Sequence, residues 1–284
     1  MPCTPIGRSV PRPTRTARLD VRPLPSAERP GPPRSLRALP DPAADADDVA
    51  AAGRSGAVTP SGPNPAARGF TPAAGVRWLT PLYDAGVAVA TRERRWRRLL
   101  VDQVRAGAGD VVVDVGCGTG SLLVLLGRTA PGASLVGIDP DPEVLRRAAA
   151  KAAAAGLPIE FVQGFAEDTA ALLAGRRATK AVSSLVFHQV PLAGKEAGLA
   201  AMRAALAPGG EVHIADYGLQ RTQLMRGLFR IVQALDGRAD TEPNARGALP
   251  GLMRRAGFGQ VAETAVVPTP TGSISLYRGR REDA

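Results

Sequence analysis

Between Val111 and Ala215 short apolar runs alternate with longer amphipathic stretches. The runs at 111–115, 134–138, 159–163, 181–187 and 211–215 predict strands, and the segments at 120–129, 141–155, 167–174 and 194–206 predict helices between them. Strict alternation of this kind implies right-handed crossovers and an α/β, doubly wound parallel sheet covered on both faces. In such sheets ligands sit beyond the C-terminal ends of the strands. Upstream, "VRWLTPLYDAGVAVATRERRWRRLLVDQV" predicts helices over 70–106, broken around Pro81. Downstream, the segment 219–240 interrupts the alternation. Its Leu224, Leu228, Ile231, Val232 and Leu235 share one helical face, with Arg221, Arg226, Arg230 and Arg238 elsewhere, which suits a lid over an apolar molecule as well as ordinary core packing.

Before residue 66 no apolar period of either kind exists. That stretch holds 14 of the 26 prolines, scattered among Arg, Ala and Asp, and cannot bury enough surface to offset its ordering entropy, so 1–66 reads as disordered. Its prolines and its acids, Asp41 to Asp48, argue against an amphipathic targeting helix, and no apolar run makes a signal or spanning segment. The two cysteines, Cys3 and Cys117, offer neither a disulfide framework nor a zinc spacing, and a reducing cytoplasm is the natural compartment. The net charge of +10 raises the question of a polyanionic partner. Residues 1–70 carry ten Arg against six acids, a net of +4, which leaves +6 for the rest. The densest patch, Arg92 to Arg98, spreads its charges over several helix faces around Trp96, as a solvated surface does, with phosphate or acidic-lipid contact as the alternative.

The candidate chemistry begins where the first strand ends. "VVVDVGCGTG" delivers Gly116, Gly118 and Gly120 into a tight turn and starts a helix at about Gly120, so that backbone N–H groups and the positive helix end face whatever binds there. A dinucleotide fingerprint would need glycine at 121, where Ser121 stands. Asp114 lies inside the strand end. The next strand runs into "GIDPDPEVL" and places Asp139 nineteen residues after Gly120, where a carboxylate can accept both hydroxyls of a ribose. Beyond it, Asp141 followed by Pro142 and Glu143 predicts an N-capped helix start.

These segments, with "FVQGFAED", "AVSSLVFHQV", "LAPGGEVHIADYG" and "RRAGF" following in order, resemble the class I S-adenosylmethionine-dependent methyltransferases, and among them the ubiquinone and menaquinone biosynthesis C-methyltransferases. The likeness covers about residues 76–280, and the first two motifs are specific as a pair. It implies a Rossmann-like sheet of seven strands, the last two around 258–266 and 272–279, with the final one antiparallel. The domain would run over 67–284, with helices at 70–106, a core at 107–218 and 244–280, and the lid-like insertion at 219–243. For the cofactor S-adenosylmethionine, the resemblance implies that Asp114, Gly116, Gly118, Thr119 and Gly120 hold the methionyl part and that Asp139 and the adjoining Pro140 meet the ribose. Phe165 and Ala166 would border the adenine, Leu185 would line the cavity and Tyr83 would cover the methionyl end. Where this family often carries Asp or Asn, Phe165 offers only ring or main-chain contact to the adenine. Lys180 replaces an Asp at the far end of the fourth strand, where it affects only local charge.

Methyl transfer asks mainly for alignment, with a base only if the acceptor must lose a proton. His188, after the fourth strand, is the candidate catalytic residue, either as that base or as a hydrogen-bonded wall of the cavity. His213, inside the fifth strand, reads as structural, and Asp216 and Tyr217 at that strand's end are better placed to meet a substrate. "SSLVFHQVP" lacks the Asn/Asp-Pro-Pro-aromatic pocket used for exocyclic amines of bases, and aromatics make up only 4% of the chain. A small, apolar acceptor methylated at carbon or oxygen is therefore preferred over nucleic acid. An RNA or protein methyltransferase guided by the Arg-rich patches, and a non-catalytic S-adenosylmethionine-binding protein, are the alternatives. Peripheral contact of the basic 219–240 helix with an anionic membrane stays open.

Overall fold

The computed structural model describes Val58–Pro60 and residues 92–282. Most of the Pro/Arg-rich tail, the helices expected before residue 92 and Tyr83 lie outside the described residues. The strands are β1 (Val58–Pro60), β2 (Val111–Val115), β3 (Ser134–Asp139), β4 (Ile159–Gln163), β5 (Ala178–Ser184), β6 (Leu206–Tyr217), β7 (Phe258–Thr269) and β8 (Gly272–Arg281). The helices are α1 (Glu93–Val104), α2 (Ser121–Thr129), α3 (Pro142–Ala154), the single turn α4 (Thr169–Leu172), α5 (Leu192–Ala205), α6 (Gln223–Asp236), α7 (Arg238–Ala245) and α8 (Leu249–Arg255).

The sheet order is β1-β4-β3-β2-β5-β6-β8-β7. Strands β2 to β6 pair in parallel, while β8 runs antiparallel between β6 and β7. The seven strands and the antiparallel last one are those the resemblance implied. An eighth was not foreseen: Val58–Pro60, inside the proline-rich stretch, adds in parallel beside Phe161 to Gln163 of β4. The strand order reverses between β2 and β5, which opens the crevice at their C-terminal ends.

Both faces of the sheet are covered, which is why the parallel strands read as near-continuous apolar runs. Because strand side chains alternate, Val112 packs with Trp96, Leu100, Leu122 and Leu145 on one face, and Val113 and Val115 pack with Leu199, Met202, Leu252 and Met253 on the other. Asp114 shares the parity of Val112, so its carboxyl enters the first face at the open end of the strand. Asp141 caps α3 as expected, its Oδ1 accepting from Glu143 N at 2.8 Å and Val144 N at 3.4 Å, with Pro142 in the first turn.

Three boundaries differ from the sequence expectation. β5 stops at Ser184 rather than 187, because Leu185 turns left-handed (φ 56°) and a 3₁₀ turn, Phe187–Gln189, follows. The helix expected over 167–174 is a 3₁₀ turn, Ala166–Asp168, plus the one turn of α4. β6 starts at Leu206, five residues early, paired with Ala178 through an irregularity. The insertion after β6 is built of α6 and α7, and of the apolar face expected there Val232 is buried, together with Phe229. Leu224, Ile231 and Leu235 are 72%, 54% and 63% exposed. No helix among the described residues is long and apolar enough to cross a membrane.

Candidate active site

The loop after β2 wraps over the tip of β3: Gly116 N and Cys117 N both donate to Ile138 O, at 2.8 and 3.0 Å. Gly116, Gly118 and Gly120 all have left-handed backbones, with φ of 72°, 53° and 72°. A side chain at Gly116 would also lie 2.3 Å from Val186 Cγ2, whereas one at Gly118 would meet nothing within 4 Å. Gly116 is therefore required by packing and Gly118 by conformation, and the space in front of Gly118 is open to a ligand. We expect Gly116→Ala to disturb both the loop and the β5 turn that carries Val186. Its midpoint of chemical denaturation should fall by an amount worth about 1–3 kcal/mol, and an unchanged midpoint would contradict the packing role.

Two carboxylates flank the loop. Asp139 at the end of β3 accepts from Gly118 N at 2.9 Å and from Asp141 N at 3.0 Å, so it holds the loop and the start of α3 in one arrangement. Burial raises its pKa to about 6 against the pull of these two N–H groups. Asp114 is 1% exposed and neither of its oxygens has a hydrogen-bond partner. Burial lifts its carboxyl to about 7, with Arg97 pulling it down and Asp139 pushing it up. A buried carboxyl without a hydrogen-bond partner is costly, and a cationic ligand would relieve that cost. The ammonium group of a methionyl moiety would meet that need, while the N–H of Thr119 with the first turn of α2, and Asp139, suit a carboxylate and a ribose. The residues present fit S-adenosylmethionine.

The rest of the edge is assembled by the neighbouring strand ends. Gly164 N donates to Asp139 O at 3.1 Å and Gln163 Nε2 to Pro140 O at 3.2 Å, which brings half-buried Phe165 and Ala166 beside Asp139 and Pro140. Leu185 sits at the end of β5, its N–H bonded to Ala215 O at 2.9 Å. Thr119 Oγ1 takes a hydrogen bond from Lys151 Nζ on α3, 2.9 Å away, so this hydroxyl is held toward α3.

His188 lies in the 3₁₀ turn after β5 and is 5% exposed. Its Nδ1 is 2.7 Å from Asp216 Oδ1 and its Nε2 is 3.3 Å from Asp236 Oδ2. A carboxylate beside each ring nitrogen favours the doubly protonated ring, an imidazolium. Burial alone would lower its pKa, but the charges and hydrogen bonds of Asp216 and Asp236 raise it to about 9. Tyr217 meets the ring edge-on with centroids 5.0 Å apart, and Phe229 tilts against Tyr217 at 5.0 Å. His213 is fully buried on β6, its Nδ1 3.1 Å from Gln103 Nε2, and burial lowers its pKa to about 4. Lys180 pairs with Glu211, a local matter as expected.

Two residues here carried no signal in the sequence. Lys195, in the first turn of α5, is fully buried and its Nζ donates to the carbonyls of Phe187, Val190 and Asp240. Asp236, the last residue of α6, reaches back to His188. A lysine in an alanine-rich helix and an aspartate at a helix end both read as solvated until their partners are placed.

Comparison with known proteins bears on this arrangement directly. Residues 112–210, the stretch from β2 into β6, match the family described as Methyltransferase domain. Over this stretch the chain is similar to methyltransferase domains. The chain is 36% identical over 123 residues to the demethylmenaquinone methyltransferase of Thermus thermophilus, covering 43% of the chain and 54% of that protein. It is 25% identical over 207 residues to the ubiquinone/menaquinone biosynthesis C-methyltransferase UbiE of Syntrophotalea carbinolica, covering 66% and 84%. The chain thus spans about half the length of the first relative and most of the second. Among solved structures, the apo form of the S-adenosylmethionine-dependent methyltransferase SibL superposes with a TM-score of 0.58 at 21% identity, covering 74% of this chain and 61% of SibL. At that identity the likeness supports the fold.

Proposed function

We propose that the domain transfers a methyl group from S-adenosylmethionine to a small, apolar acceptor, at carbon or at oxygen. The observation that carries the reading is the composition of the strand edge beside the donor loop: Tyr217 meets buried His188 edge-on, Phe229 packs on Tyr217, and Leu185 follows the end of the neighbouring strand, an edge of aromatic and aliphatic side chains. The similarity to a demethylmenaquinone methyltransferase and a ubiquinone/menaquinone biosynthesis C-methyltransferase supports an acceptor of this kind.

When bound, the donor supplies a methyl group already activated by its sulfonium. In this reading the protein does the rest by positioning. Asp114 meets the methionyl ammonium, the loop from Gly116 to Gly120 presents the N–H of Thr119 and the first turn of α2 to its carboxylate, and Asp139 with Pro140 takes the ribose. Phe165 and Ala166 border the adenine, and Leu185 walls the acceptor side. His188 touches the acceptor. The test is to incubate the full chain with methyl-tritiated donor and, in parallel, a mixture of reduced quinones and phenols, bulk tRNA, and denatured protein. Counts extracted into organic solvent are expected, and counts confined to tRNA or protein would overturn the proposal.

A pH dependence follows from Asp114. Its folded pKa of about 7 lies above the ordinary 3.8, so in the free protein its contribution to stability is complete below 3.8 and is lost as the pH rises through 7. An ammonium ligand favours the ionised carboxyl, and binding below pH 7 must drive its proton off. Donor affinity is therefore expected to fall toward about tenfold per unit as the pH drops below 7. Calorimetry at pH 5.5 and 8 checks this, and equal affinities would remove Asp114 from the ammonium site.

A further inference from the structure

His188 is held by two carboxylates of unequal character. Asp216, on β6, is saturated: besides His188 Nδ1 it accepts from the N–H groups of Val186 at 3.1 Å, His188 at 3.3 Å and Tyr217 at 2.7 Å. It fixes the ring. Asp236 makes the longer contact of 3.3 Å and stands at the end of α6, just before Gly237, whose φ of 84° is a turn that glycine adopts readily. α6 itself buries only Phe229 and Val232, so it is thinly attached to the body and costs little to displace. The turn carrying His188 is held separately, because Lys195 Nζ ties Phe187 O and Val190 O to Asp240 O of α7. His188 therefore keeps its place when Asp236 leaves.

Charge gives the direction. The group consists of the His188 imidazolium and the Lys195 ammonium, with the carboxylates of Asp216 and Asp236 on the ring and that of Asp240 acting on Lys195. Burial presses Lys195 down to about 8 while Asp216 and Asp240 hold it up, and the edge-on Tyr217 brings no charge. Because Asp216 already serves Nδ1 and three backbone N–H groups, removing Asp236 leaves the buried Nε2 of His188 without an acceptor, a costly state unless another anion arrives. We propose that the anion is the acceptor itself: an acidic hydroxyl compound, a phenol or enol, binds as its oxyanion at His188 Nε2 in exchange for Asp236, and α6 shifts as it enters. The proposal rests on the small-acceptor reading and narrows it to acceptors with an acidic oxygen. His188 then acts as a fixed cation that holds the oxyanion while the neighbouring carbon or the oxygen faces the donor methyl. The acceptor's proton leaves to solvent on binding, and Asp236 carries its charge out with α6.

The chain has two histidines, so full-length protein with ring-labelled histidine gives one NMR signal for His188 and one for His213. The probes are 4-nitrophenolate and, as its neutral counterpart, nitrobenzene. In Asp236→Asn, His188 is expected to titrate at least one pH unit lower than in the wild type, with His213 unmoved as the control for folding. In Asp236→Ala, 4-nitrophenolate is expected to bind at least tenfold tighter than to the wild type and to shift the His188 signal, while nitrobenzene does neither. A His188 titration indifferent to Asp236→Asn, or a phenolate affinity unchanged by Asp236→Ala, overturns the exchange. These readings need no turnover, so absence of methyl transfer to any small molecule would sink the functional reading while leaving this site standing. The converse result would separate them the other way.

Discussion

Asp139→Ala should lose at least about a hundredfold in affinity for S-adenosylmethionine. Two effects combine. In the proposed site Asp139 offers a carboxylate to two ribose hydroxyls, and a hydrogen bond to a charged group contributes about 1.5–3 kcal/mol, so the pair would give about 3–6 kcal/mol at about 1.4 kcal/mol per decade. The same carboxylate accepts from Gly118 N and Asp141 N, and its removal frees the donor loop and the start of α3 together. Equilibrium dialysis against labelled donor measures the loss. Asp139→Asn, which keeps one amide oxygen as acceptor, should fall between the two. A variant that binds within threefold of the wild type would show that the ribose lies elsewhere.

The largest effect on stability is expected at Asp216. Asp216→Ala removes the carboxylate beside the His188 ring and also leaves three buried N–H groups, those of Val186, His188 and Tyr217, without their acceptor. Breaking a buried ion pair from one side costs about 3–5 kcal/mol. In a domain of this size each kcal/mol moves the thermal midpoint by about 2–4 °C, so a fall on the order of 10 °C is expected. The effect also has a pH signature. The folded pKa of His188, about 9, lies above the ordinary 6.5, so the stability it contributes is complete below 6.5 and lost as the pH rises through 9. The gap between wild type and variant should therefore be widest near pH 6 and narrow toward pH 9.5. A gap independent of pH would mean that the variant suffers from lost hydrogen bonds alone.

The geometry of the glycine loop was legible in the sequence because it is local. Gly116, Gly118, Gly120 and Asp139 act through backbone conformation and strand ends, and both are set by residues within one strand–turn–helix unit. The Asp141 cap was readable for the same reason. The surroundings of His188 depend on segments that meet only in the folded chain. His188 could be singled out, but its two carboxylates lie 28 and 48 residues away on β6 and α6, and their presence favours the charged ring over a neutral base. Lys195 gave no sign of burial, since the carbonyls it serves come from the turn after β5 and from Asp240 of α7. The apolar face of 219–240 was correctly seen as helical, yet its period could not say that Val232 would be buried while Leu224, Ile231 and Leu235 would stay exposed. The end of β5 was misplaced because an apolar run continues through Leu185 and Phe187, and nothing local marks the left-handed turn at Leu185.

One titration tests the central claim most directly: S-adenosylmethionine into the full chain at pH 8, followed by calorimetry. A single site with micromolar affinity, about 8 kcal/mol, is expected from the loop and its two carboxylates. No heat of binding, with no change in thermal midpoint at millimolar ligand, would contradict the account of Asp114, the glycine loop and Asp139 as a donor site.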